Sequence, residues 1–109
     1  MQVNQSDMEA ALEFLADTDV DFARAQAYYN ALDEQTKSVR ASLGFRCKEK
    51  SASAKEMFAL QTPDYLKHLA KVEVANVDYL TLRAQRATKS TIIDCWRSLN
   101  SARGKGNIN

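Results

Sequence analysis

Glycine and proline are scarce in this 109-residue chain, at three and one. Strand-rich folds need frequent tight turns, so the shortage argues against a sandwich or barrel and for long helices with few connections. Histidine is nearly missing too. His68 is the only one, so any Ser-His or Cys-His arrangement must use it. The two cysteines, Cys47 and Cys95, lie far apart and make no C-x-x-C pair; with one histidine they do not complete a zinc tetrahedron. No apolar run is long enough to span a bilayer. The opening, Met1 to Ser6, lacks the basic-then-apolar layout of a secretory leader. The expectation is a soluble cytoplasmic protein with reduced thiols, in which the Asn4-Gln5-Ser6 sequon is idle.

Acid–base chemistry is also thinly represented. Asp64 precedes His68 by one turn, but no nucleophile with matching spacing accompanies them, so His68 reads as a helix-surface or half-buried histidine. Asp17, Asp19 and Asp21 begin like a calcium loop. That loop needs glycine at its sixth position and glutamate at its twelfth, where this chain has Phe22 and Tyr28, so the reading fails. Gly104-Lys105-Gly106 lacks the spacer and hydroxyl of a phosphate loop. The expectation is a non-enzyme without cofactor or metal.

What the chain does have is helical patterning and segregated charge. Ser6-Asp7-Met8-Glu9 forms a capping box that opens a first helix with Met8, Leu12 and Leu15 on one face. Asp17-Thr18-Asp19 predicts a break, because these side chains compete for backbone amides. A second helix follows over 20–43, in which Phe22, Ala25, Tyr29, Leu32, Thr36, Val39 and Leu43 recur at alternating intervals of three and four. That is a heptad seam with one polar member, and Gly44 is a natural stop. Residues 45–51 are basic and irregular. Ser53-Ala54-Lys55-Glu56 is a second capping box, for a short helix ending at Leu60. Thr62-Pro63-Asp64 combines a cap, a first-turn proline and an acid. From Pro63 to Arg103 there is no glycine or proline. One uninterrupted helix there would be about 60 Å long, with Thr88 to Thr91 the best place for a break. Residues 104–109 are expected to be a loose tail after Gly104.

The predicted fold is all-α: one domain over 1–109, an elongated antiparallel hairpin or small bundle with a long C-terminal helix. Residues near Phe22 should lie beside Arg83 or Arg86. The overhang of the last helix is then covered either by the first helix folding back or by a second copy of the chain. Tyr28 faces away from the seam and, with Phe14, suggests a helix–helix interface.

Net charge is +1, but it is unevenly spread. Residues 1–35 hold eight acids and one base, and residues 80–109 hold six bases and one acid. Arg83, Arg86, Lys89, Arg97 and Arg103 could contact phosphates with steep salt dependence, and Trp96 and Tyr79 could stack bases. The same hairpin geometry brings the acidic start against these bases, so internal pairing is the competing explanation. Trp96 alone is more often a core or interface anchor than a stacking platform, because it buries a large apolar area.

Phe14-Leu15-Ala16-Asp17-Thr18-Asp19 and Trp96-Arg97-Ser98-Leu99-Asn100-Ser101-Ala102-Arg103, followed by Gly106-Asn107-Ile108, resemble a group of small proteins of tailed phages and prophages. The group's C-terminal pattern is W-R-S-x-N-x-x-R-R-x-G-N-I, and Gly104 here replaces its second arginine. The likeness extends over nearly the whole chain. Genes of the group often sit among those for recombination, single-strand binding and replication. The resemblance implies a role around phage DNA processing; with the missing catalytic centre and the basic C-terminal third, the expectation is a non-enzymatic accessory protein of phage DNA recombination or replication in the host cytoplasm, touching DNA or a DNA-bound phage or host protein through Arg86, Lys89, Trp96, Arg97, Asn100 and Arg103. The alternative is a modulator of a host nuclease or defence complex, acting through exposed helix faces. Self-association is compatible with either.

Overall fold

The computed structural model describes residues 2–107, with side chains through Gly104. Three helices make up the fold: α1 (Gln5–Gly44), α2 (Ala52–Leu60) and α3 (Pro63–Asn107). No strand occurs among the described residues.

α1 is a single helix, and it starts two residues earlier than the Ser6 box predicts. Asn4 caps it: its Oδ1 accepts from the Asp7 amide at 2.8 Å, and Asp7 Oδ2 accepts from the Asn4 amide at 3.1 Å. This is a reciprocal capping box built on Asn and Asp. The predicted break at Asp17-Thr18-Asp19 is absent. The Thr18 hydroxyl donates to the Phe14 carbonyl at 2.7 Å, so its competing bond is made inside the helix. The same device keeps α3 intact across Thr88 to Thr91, where Thr88 and Thr91 donate to the carbonyls of Ala84 and Ala87.

α2 is capped by Ser51, not Ser53: the Ser51 side chain accepts from the Ala54 amide at 3.1 Å. α3 begins as expected, the Thr62 hydroxyl accepting from the Tyr65 amide at 3.2 Å. α3 does not stop at Gly104. It runs through Asn107, and no described glycine takes a positive φ; Ile108 and Asn109 lie outside the described residues.

Contacts divide the chain into two units. One comprises Arg24–Tyr79 and the other Met1–Ala23 with Leu80–Asn109. In the first, Ala25, Tyr29, Leu32, Thr36, Val39 and Leu43 of α1, the predicted heptad seam, are half-buried or buried, as are Arg40 and Gly44 beside it. Facing them on α3 are Tyr65, His68, Val72, Ala75 and Tyr79, again spaced by three and four. The pairing is antiparallel. Leu43, Ala59 and Tyr65 form a buried cluster with Val39 against it, Thr36 meets His68, and the Tyr29 and Tyr79 rings stack at 5.9 Å. α2 closes this unit through Ala59, which is fully buried. Gly44 is buried beneath α2, where an added Cβ would lie 3.4 Å from the Lys55 carbonyl oxygen. That is ordinary van der Waals distance, and Gly44 ends α1 without the left-handed turn expected of it.

In the second unit the α1 seam continues upstream through Phe22, Thr18, Leu15, Ala11 and Met8. Ala11, at 1 % exposure, takes the place predicted for Leu12, which is 48 % exposed. The α3 partners are Leu82, Arg86, Lys89, Ile93 and Trp96. Because α1 is unbroken, its N-terminal turns lie directly along α3 and do not fold back.

Candidate binding surfaces

Three of the six residues expected to bind a partner are spent within the hairpin. Arg86 occupies a seam position. One guanidinium nitrogen donates to the Leu15 carbonyl at 2.9 Å and to the Thr18 hydroxyl at 2.7 Å; the other pairs with Asp19 at 2.6 Å. The group also lies over the Phe22 ring at 5.1 Å. Planar, with five donors, it suits this set of acceptors better than a phosphate it would have to leave them for. Lys89 is half-buried, its ammonium 5.4 Å from the centre of the Phe14 ring. Trp96 is half-buried on the same seam. Tyr79, expected as a stacking platform, is instead stacked on Tyr29.

The other three, Arg97, Asn100 and Arg103, are exposed. Arg103 and Leu99 border a shallow groove with Gln2, Val3 and Asn4. Among the described residues Arg83, Arg97 and Arg103 make no ion pair. Arg86–Asp19 is the one described pair joining the basic C-terminal third to the acidic start. Internal pairing is therefore local. Even so, the unit that carries these bases holds seven acids against six bases, which disfavours it as a polyanion surface.

His68 is also engaged. Its Nε2 lies 3.0 Å from Thr36 Oγ1. The same hydroxyl lies 3.3 Å from the Leu32 carbonyl, and the ring's tautomer sets which partner donates in the Thr36–His68 bond. Asp64 turns instead to Arg46 at 3.1 Å. Among the described residues no group of three or more His, Cys, Asp or Glu side chains could hold a metal ion. No helix of the described residues is long and apolar enough to cross a membrane.

The densest positive charge sits where helices α1 and α2 meet. Residues 37–55 contain six bases (Lys37, Arg40, Arg46, Lys48, Lys50, Lys55) and one acid, Glu49. All are exposed except Arg40 and Lys55, which are half-buried. Two of the six are partly committed: Arg40 approaches Glu56 at 3.8 Å, and Arg46 pairs with Asp64. Both pairs are solvent-exposed and worth little individually. Phe45 is 79 % exposed, with the Lys55 ammonium 5.6 Å from its ring centre. Lys37, Arg40, Phe45, Ala52, Lys55 and Glu56 line an open groove of about 430 Å³, whose charged rim is three cations and the one carboxylate that Arg40 approaches. Met57, Phe58 and Leu60 of α2 are exposed too. The sequence reading missed this site because the charge was summed over broad thirds. A window of about twenty residues exposes it: the +5 of residues 37–55 matches that of residues 80–109 in far fewer positions.

Fold and site together define an all-α helical-hairpin protein with a cationic, aromatic-bearing connection. No protein-family model, curated protein or solved structure matches the chain.

Proposed function

We propose that this chain is a non-enzymatic accessory protein of phage DNA recombination or replication that contacts DNA through the connection between α1 and α2. The observation that carries the reading is the concentration of exposed cations over 37–55 beside an exposed Phe45. Lysines supply sequence-independent attraction for phosphates, and an aromatic face suits unstacked bases, so single-stranded DNA is the favoured form. The phage setting rests on the C-terminal resemblance. Arg97, Asn100 and Arg103 remain exposed but belong to the net-acidic unit, so they are secondary contacts.

Fluorescence anisotropy with labelled single- and double-stranded oligonucleotides at low and moderate salt tests this. Four phosphate contacts would give a slope of log affinity against log salt of roughly −3 on single strands. Lys48→Ala with Lys50→Ala and Lys55→Ala should abolish binding, while Arg97→Ala with Arg103→Ala should leave most of it. Absence of binding at low salt defeats direct DNA contact.

A second reading, a modulator of a host nuclease or defence complex, draws on one observation. Phe45, Met57, Phe58 and Leu60 place exposed apolar area beside the same cations, the mixture that protein interfaces use for anchors and rim. Under this reading Phe58→Ala removes partner capture from infected-cell extract, whereas the lysine substitutions only slow it.

A further inference from the structure

α3 is apolar on two faces, and α1 covers only one. In the unit formed by residues 24–79, the seam side of α3 is Tyr65, His68, Val72, Ala75 and Tyr79. Leu66, Ala70 and Val77 fall on the opposite side by helical geometry, with Leu69 on its flank. Leu66 is 57 % exposed, Leu69 39 % and Val77 55 %. Single exposed apolar residues are ordinary, but a stripe at helical spacing marks an interaction surface.

We infer that this outer face of α3 pairs with the same face of a second copy of the chain, antiparallel and related by a twofold axis. Charge chooses that occupant.

One border of the stripe carries Lys67 near its start, Lys71 one turn on and Asp78 near its end, all exposed and, among the described residues, without an ion-pair partner. In an antiparallel twofold pair each border meets its own copy, and residue i faces j as j faces i. A register that sets Leu69 of one copy beside Val77 of the other also sets Lys67 beside Asp78, twice. A parallel pairing would turn this border toward the other one, which carries Leu69 and Asn76, and gain nothing from these charges. Glu73 shares the apolar face and falls close to the axis, so its two copies repel and hold the dimer to a reversible one. The inference does not depend on DNA binding.

Sedimentation velocity of the full chain over a wide concentration range is the test. The expected result is a reversible dimer. Leu66→Gln with Val77→Gln should raise its dissociation constant at least tenfold while leaving the helical circular dichroism unchanged. Glu73→Gln should lower it several-fold. Lys67→Asp alone should raise it several-fold, and Lys67→Asp with Asp78→Lys should restore it, since the two symmetric pairs are rebuilt with charges exchanged. A monomer at every concentration overturns the proposal. So does a dimer indifferent to the Leu66 and Val77 substitutions. Failure of the exchanged pair to rescue, or of Glu73→Gln to tighten the dimer, overturns the antiparallel register.

Discussion

Arg86→Ala should destabilise the protein by about 2–3 kcal/mol, and the structure says where the loss comes from. The Arg86 side chain is 20 % exposed and Asp19 64 %, so the ion pair itself is screened and contributes no more than ~1 kcal/mol. The bonds to the Leu15 carbonyl and Thr18 hydroxyl are charge-assisted and only part-exposed, worth ~1.5–3 kcal/mol for bonds of that type. The contact over the Phe22 ring adds about 0.5–1 kcal/mol. These figures are net of desolvation, and the partial exposure of the site puts the total at the lower end of their sum. Neither acceptor is stranded when the arginine goes. Leu15 lies mid-helix in α1, and the Thr18 hydroxyl still donates to Phe14. Urea unfolding followed by circular dichroism measures the loss; at about 1.5 kcal/mol/M it moves the midpoint by roughly 1.5–2 M. Arg86→Lys should recover less than half, because a single ammonium cannot fork among three acceptors. A change below about 0.5 kcal/mol for the alanine variant, well under what these bonds predict, would refute the assignment of Arg86 to the seam and return it to the exposed surface.

Two further perturbations probe the ends of the fold. Asn4→Ala removes the side-chain half of the N-terminal capping box and should cost about 1 kcal/mol in the same urea titration, whereas Ser6→Ala, in the box that does not form, should cost a few tenths at most. Ala59→Leu places a large side chain at a fully buried position in the cluster of Leu43 and Tyr65 and should destabilise by about 1–3 kcal/mol; a neutral result would mean that α2 is not docked as described.

The seam of α1 over 22–43 was legible because its members are apolar and keep one interval. The seam of α3 was not, although its spacing is as regular. His68, Arg86 and Lys89 sit on it, and a search for apolar periodicity skips charged residues. The same cause put Arg86 and Lys89 among the expected surface groups, whereas both are half-buried on the seam. Polar seam positions on one helix become readable only with those of the other. Thr18 and Thr36 stand eighteen residues apart in α1, as His68 and Arg86 do in α3. The predicted break at Asp17-Thr18-Asp19 failed for a related reason. A threonine that bonds its own helix one turn back costs little there, and a guanidinium from α3 supplies Asp19 with the partner that local propensity takes to be missing.

That matched spacing gives the polar pairs a role beyond stability. A heptad seam repeats every seven residues, so an apolar one is nearly indifferent to a slip of one heptad. Here a slip would set Arg86 against Ala11 or Ala25 in place of Thr18, and His68 against Tyr29 or Leu43 in place of Thr36. Neither alanine side chain accepts a hydrogen bond, and a half-buried guanidinium without acceptors is costly. The pairs therefore select one alignment, at some expense of maximal burial. Replacing them together, with Thr18→Val, Arg86→Leu, Thr36→Val and His68→Leu, should keep helicity and hold or raise the urea midpoint. It should also broaden the transition, because alternative alignments become populated. A variant that unfolds as sharply as the parent, with an unchanged m-value, would show that connection length alone fixes the register and that the polar pairs serve some other end.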